Sequence, residues 1–115
     1  LVLAVPGGAQ TRHMIDAPVL EALGPQGFLI NVARGTVVDE TALVKALQAK
    51  TIAGAGLDVF EFEPQVPAEL MSLDQVVMLP HIASGTFETR KAMADLVVEN
   101  LDAWFSRREL LTRVV

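Results

Sequence analysis

Four short apolar runs, at residues 1–5, 28–32, 52–59 and 76–79, alternate with segments that carry helix signals. This alternation constrains the fold more than any other feature. Strands joined through helices pair in parallel and build an α/β sheet. Asp16 is placed to cap a short helix through Leu23, with Pro18 in its first turn, Gly24 as a stop and Pro25 forbidding continuation. Asp39 caps a second helix, in which Ala42, Leu43, Ala46 and Leu47 form one stripe. The run at 28–32 is apolar apart from Asn31, as expected for a strand covered on both faces. Gly54 and Gly56 let a neighbouring element approach the third run closely, and the proline-containing stretch 60–75 reads as an irregular surface excursion. The longest helix is expected from about Thr86 to Phe105, capped by Ser84 or Thr86. Its stripe of Met93, Val97, Leu101 and Trp104 is widened by Leu96, Val98 and Phe105, so cover on more than one side is expected.

At 115 residues the chain makes one domain at most, and its hydrophobic content is 51%. The first run begins without a polar lead-in, and a sheet entered in mid-strand exposes an apolar edge. That favours a piece of a longer protein, or a tightly associating one, over a compact domain with a trimmed end. The net charge of −5 provides no footprint for nucleic acid or an anionic membrane. No apolar stretch reaches a bilayer span, and no signal peptide is recognisable. With no cysteine, disulfides, thiolate catalysis and zinc–thiolate sites are excluded, and a cytoplasmic location is the default expectation.

Arg34, Glu63 and His81 each follow the carboxyl end of an apolar run. In open α/β sheets ligands bind beyond those ends. A cation, a carboxylate and an imidazole on one rim can bind an acid and move a proton. His81 follows Pro80 and precedes Ala83-Ser84-Gly85-Thr86, small residues that leave room for a ligand and offer backbone N–H groups at a helix start. Alone, a histidine after a strand is more often structural; its neighbours reverse that. Glu63 is either the carboxylate that orients the ring and favours its protonated form, or a solvated acid beside Glu61. Arg34 either grips a carboxylate in bidentate fashion or closes its turn at Gly35. Asp58, among apolar neighbours, either accepts from a ligand amide or caps nearby backbone. His13, beside Arg12, reads as a surface residue. Gly54-Ala-Gly56 is not a dinucleotide fingerprint, because Val59 holds the third glycine position and no helix follows.

The segments Asn31-Val-Ala-Arg-Gly-Thr-Val-Val-Asp39, Gly54-Ala-Gly-Leu-Asp-Val-Phe-Glu61 with Glu63-Pro64, and Pro80-His-Ile-Ala-Ser-Gly-Thr-Phe-Glu-Thr-Arg90 closely resemble the D-isomer-specific 2-hydroxyacid dehydrogenases. The loop Pro6-Gly-Gly-Ala-Gln-Thr11 and the tail Leu110-Leu-Thr-Arg-Val114 look most like the glyoxylate/hydroxypyruvate reductase branch. The resemblance implies half of a Rossmann-type doubly wound parallel sheet, with flanking helices and a long carboxyl-terminal helix. Residues 1–105 would be the carboxyl-terminal half of a nicotinamide-dinucleotide-binding domain, and 106–115 a tail returning toward a substrate domain. It implies Arg34 as the ligand of the substrate carboxylate, His81 as general acid and Glu63 as its partner. Pro6, Val32, Ala33, Arg34, Asp58, His81 and Ser84 would contact the cofactor, NAD or NADP, with NADP favoured by the branch. The reaction would be hydride transfer to a small 2-keto acid in a homodimer of the full-length protein. The family's glycine-rich fingerprint is missing here, so these residues alone are expected not to turn over substrate.

A receiver-type signalling domain would need an acidic cluster after the first run and a lysine after a late one, where Pro6-Gly7-Gly8 and His81 stand. Formate dehydrogenases lack the acidic partner of the histidine, which Glu63 supplies, whereas phosphoglycerate dehydrogenases fit. A nucleotide-sensing corepressor on the same fold is the main alternative, because such proteins can keep all three residues.

Overall fold

The structure, a computed structural model, describes residues 1–114. It divides into two compact units, Leu1–Ile82 and the segment from Ala83 onward. In the first unit the order is β1 (Val2–Leu3), α1 (Ala17–Leu23), β2 (Phe28–Asn31), α2 (Glu40–Gln48), β3 (Gly54–Leu57), the short α3 (Ala68–Met71) and β4 (Val76–Met78). The strands pair in parallel, as the alternation predicts, and stand in the order β1-β2-β3-β4.

Consecutive parallel strands joined by right-handed crossovers put their connecting helices on the same face. The burial follows that rule. Leu29 of β2, and Ala55 and Leu57 of β3, join Leu20 of α1, and Leu43 and Leu47 of α2, in one buried core. Ile52 and Leu70 complete it from the loop before β3 and from α3. Each fully buried leucine or isoleucine contributes roughly 1.5–3 kcal/mol against solvation.

The opposite sheet face corrects one expectation. Val2, Ile30, Gly56 and Val77 stand in register across all four strands, and both Val2 and Val77 are exposed. Phe28 on the same face is 57% exposed, its ring edge lying over Gly54. An apolar strand therefore did not mean a strand covered twice within this unit. The strands are also shorter than the apolar runs, and α3 interrupts the excursion expected as wholly irregular.

Both helix caps behave as their side chains dictate. Asp16 accepts from the Val19 N–H at 3.2 Å, and Asp39 from the Ala42 N–H at 3.0 Å. Gly24 ends α1 with φ of 77°, a left-handed conformation that suits glycine.

The second unit is α4 (Phe87–Arg107) and the tail after it. Thr86, one of the two expected caps, accepts from the Thr89 N–H at 3.2 Å. Asn100 pins the tail to the helix: its Oδ1 accepts from Leu111 N–H and Thr112 N–H at 3.0 and 3.2 Å, and its Nδ2 donates to Thr112 Oγ1 at 3.1 Å. Arg108 leaves the helix in a left-handed turn and lies over the Trp104 ring. The widened stripe of Met93, Leu96, Val97, Val98, Leu101, Trp104 and Phe105 is exposed, whereas Ala103 is buried. Val115, the end of the expected tail, lies outside the described residues. Among the described residues no helix is long and apolar enough to cross a membrane.

Replacing Asp39 by Ala removes the α2 cap and should cost about 1 kcal/mol, whereas Asp39→Asn should cost little. Urea unfolding with an unchanged slope and a lowered midpoint for the alanine variant alone is the expected result; equal midpoints for both would contradict it.

Candidate active site

Each candidate residue is set by the strand it follows. After β2, the buried Asn31 brackets the next turn, accepting from the Ala33 N–H at 3.0 Å and donating from Nδ2 to the Arg34 carbonyl at 3.1 Å. The polar residue of an apolar run is thus the clasp that places Arg34. A single 3₁₀ turn, Gly35–Val37, follows. Arg34 donates to the Ala33 carbonyl at 2.6 Å, and among the described residues it forms no ion pair. Its aliphatic stem packs on Gly7, where a methyl group would fall 2.8 Å from Arg34 Cγ.

Gly35 is where two loops meet. A Cβ there would lie 1.9 Å from the Phe60 carbonyl carbon and 2.4 Å from the Glu61 nitrogen. Only a residue without a side chain lets the turn after β2 press directly on the peptide after β3. That second loop then delivers Glu63. Its Oε1 accepts from the Phe60 N–H at 2.9 Å, and its Oε2 lies 2.8 Å from His81 Nδ1.

His81, after β4, has a left-handed φ of 54°, a conformation costing a non-glycine residue roughly 1–2 kcal/mol. Its side chain is 49% exposed and that of Glu63 37%. The hydrogen bond from the His81 ring, and secondarily that from the Phe60 amide, holds the Glu63 carboxyl below the usual carboxylate range. Glu63 is therefore ionised at neutral pH and accepts, so Nδ1 is the donor. Nε2 is the ring nitrogen left for another partner.

Pro6, Gly7, Gly8, Arg34, Gly35, Thr36, Phe60, Glu61, Glu63 and His81 line one cleft of about 600 Å³. That volume is ordinary for a small-molecule or cofactor pocket. A more apolar surface hollow of about 490 Å³ on α4 and its tail, bounded by Leu96 and Trp104, holds no charged side chain.

The expected trio thus converges, together with Pro6. Other candidates stand elsewhere. Val32 is exposed and Ala33 is part of the core. Asp58 is buried, and its Oδ1 accepts from the Ile82 N–H at 2.8 Å, so it fixes the backbone next to His81. Ser84 is an exposed residue of the second unit.

Two features escaped sequence reading. Glu61 is not solvated: its side chain is 6% exposed and accepts from Arg12 Nη2 at 2.7 Å and from His13 Nε2 at 2.8 Å. His13, read as a surface residue, is half-buried in that contact. Glu40, in the first turn of α2, is buried and accepts from the Glu61 N–H at 2.7 Å.

Residues 1–83 match the family described as D-isomer specific 2-hydroxyacid dehydrogenase, NAD binding domain. The chain belongs to this family. It is 59% identical, over its whole length, to the glyoxylate/hydroxypyruvate reductase A of Arabidopsis thaliana, of which it spans 37%. A hydroxyphenylpyruvate reductase of Plectranthus scutellarioides is 58% identical over the same extent, again with 37% of that protein covered. Among solved structures, the NADPH-dependent glyoxylate/hydroxypyruvate reductase of Sinorhizobium meliloti, in complex with NADP and malonate, superposes with a TM-score of 0.95. It is 60% identical, and the match covers 99% of this chain and 36% of that one. The chain thus spans little more than a third of the length of these relatives.

Gly35→Ala should destabilise the protein by about 1–3 kcal/mol, because backbone rather than a yielding side chain blocks the methyl group. Wild-type thermal stability in that variant would contradict the close packing. The Glu63 carboxyl binds its proton more weakly when folded, so its contribution to stability is complete above the unfolded carboxyl range, near pH ~4.3, and is lost as pH falls through the lower folded value. His81→Ala removes the leading cause, and the Glu63 carboxyl signal in carbon NMR should then titrate at higher pH. An unmoved midpoint would show that the imidazole is not that cause.

Proposed function

We propose that this chain is the catalytic half of the nicotinamide-binding domain of a reductase that converts small 2-keto acids such as glyoxylate or hydroxypyruvate to 2-hydroxy acids. The observation that carries this reading is the His81–Glu63 contact at 2.8 Å in the same cleft as Arg34. Family membership supports the cofactor class, and the named activities of the relatives support the substrate class. Relatives nearly equal in identity bear different substrate names, so identity alone does not select among keto acids.

The residues fit the nicotinamide end of a dinucleotide. The cleft lies at the carboxyl rim of parallel strands, where such cofactors bind, and its walls are backbone-rich at Pro6, Gly7 and Gly8. Gly54-Ala-Gly56 provides no phosphate cradle, because Gly54 lies within β3 with the Gln75 carbonyl and the Phe28 ring against it. When bound, the reduced nicotinamide supplies the hydride to the keto carbon. Arg34 holds the substrate carboxylate through paired N–H donors and draws charge toward the keto oxygen. His81 delivers the proton from Nε2 to that oxygen and leaves as neutral imidazole, retaining its Nδ1–H on Glu63. Glu63 orients the ring through its contact with Nδ1. Asp58, which secures the Ile82 amide, is assigned to the carboxamide end of the nicotinamide, with the backbone at Val32 and Ala33 beside it.

We further assign residues 1–105 to the carboxyl-terminal half of the cofactor domain and 106–115 to a tail toward the substrate domain. NADP is favoured over NAD, since a relative is NADPH-dependent and binds NADP. A cytoplasmic homodimer is the proposed form of the full-length protein. The 115-residue chain by itself is proposed to be inactive.

His81→Ala in the full-length protein should lower kcat for glyoxylate and hydroxypyruvate by about 10²–10⁴ while leaving nucleotide binding intact. Arg34→Lys should chiefly raise KM for the keto acid, because an ammonium cannot reproduce the bidentate grip. Unchanged turnover without His81 would remove the acid role. Failure of the wild-type protein to oxidise NADPH or NADH with any keto acid would instead favour a nucleotide-sensing corepressor.

A further inference from the structure

The peptide linking Phe60 to Glu61 is held from two sides. Gly35 presses on it, at a distance that leaves no room for a methyl group. Glu40 Oε1 accepts its N–H at 2.7 Å. Glu40 is 6% exposed, and its second oxygen, Oε2, is buried without a hydrogen-bond partner among the described residues. A buried carboxylate with one idle oxygen is costly in a helix turn where a solvated acid would serve the dipole equally well. Burial, aided by the nearby charges of Glu61 and Glu63, pushes the Glu40 carboxyl up, against the lowering effect of the Glu61 N–H.

We infer that Glu40 is a positioning residue for the proton-transfer pair: by holding the Phe60–Glu61 peptide against the Gly35 turn, it fixes the loop that presents Glu63 to His81. The connection is short at every step. The Glu61 amide binds Glu40, the adjoining Phe60 amide binds Glu63 Oε1, and Glu63 Oε2 meets His81 Nδ1. Arg34 immediately precedes Gly35, so the same contact fixes the spacing between the guanidinium and the carboxylate–imidazole pair. Glu61 extends the arrangement to the loop after β1 through Arg12 and His13. Glu61 and Glu63 do not substitute for it, since their carboxylates bind Arg12, His13, Phe60 and His81.

The role requires an acceptor, not a charge. An amide at position 40 retains the carbonyl that the Glu61 N–H needs, whereas alanine does not. This inference rests on the reductase reading for its kinetic arm only; the magnetic resonance arm stands without it.

The test compares Glu40→Ala and Glu40→Gln in the full-length protein, reading kcat and KM for glyoxylate together with nitrogen NMR of the His81 ring. Glu40→Ala should lower kcat by up to about a hundred-fold, the effect of misplacing a reacting group by an ångström, with nucleotide KM little changed. It should also shift the His81 Nδ1 signal away from its wild-type position. Glu40→Gln should restore both. A wild-type kcat and an unmoved Nδ1 signal in Glu40→Ala would overturn the inference, as would equal losses in both variants, which would mark the charge as what matters. If the alanine variant does not fold, Glu40→Gln alone decides: a shifted Nδ1 signal there overturns the acceptor role, and a wild-type signal supports it. A wild-type protein inactive on every keto acid overturns the reductase reading instead, while the Nδ1 comparison continues to judge Glu40.

Discussion

The site depends on one close approach, that of Gly35 to the Phe60–Glu61 peptide. At 1.9 Å from a hypothetical Cβ to a backbone carbon, the two loops share a surface that no other residue type permits. The loop after β2 carries Arg34 and the loop after β3 carries Glu63, so this contact sets the separation of the two charged groups. The hydrogen bond from His81 Nδ1 to Glu63 then brings in β4. Three strand ends are joined by one packing contact and one hydrogen bond. Two other interactions reinforce that join from behind, Asn31 on the Arg34 turn and Asp58 on the Ile82 amide.

Topology explains why such a join is available. Four parallel strands in sequential order bring all their carboxyl ends to one rim, and α1 and α2 cover one face of the sheet. The core that results is small, and its leucines come from both layers. Stability is therefore concentrated beneath the rim, while the rim itself is made of turns. Polar side chains there bind backbone amides: Asn31, Glu40, Asp58 and Glu63 all do so. Loops at the end of a sheet can hold a reactive geometry when their amides are satisfied in this way.

Much of this was legible in the chain. The caps at Asp16 and Asp39, the approximate strand positions and their parallel pairing follow from turn chemistry, helical spacing and the alternation of apolar runs with helix signals. Arg34, Glu63 and His81 were legible because each lies within a few residues of the carboxyl end of an apolar run. Glu61 was not, since its partners Arg12 and His13 lie forty-nine and forty-eight positions away and nothing local distinguishes a clasped acid from a solvated one. Glu40 was not singled out either, since an acid in the first turn of a helix is ordinary and its burial depends on a loop from another strand. The open face around Phe28 was misread for a related reason: an apolar run states that a strand can be covered twice, not which element covers it.

The central claim is that Arg34 and His81 Nε2 address the same small acid, with Glu63 behind the ring. A crystal structure of the full-length protein with oxamate, an unreactive keto-acid mimic, and the reduced nucleotide tests it most directly. The mimic's carboxylate should lie on the Arg34 guanidinium and its amide oxygen within hydrogen-bond reach, about 2.6–3.2 Å, of Nε2. A carboxylate bound elsewhere, or an Nε2 facing away with Nδ1 released from Glu63, would contradict the account.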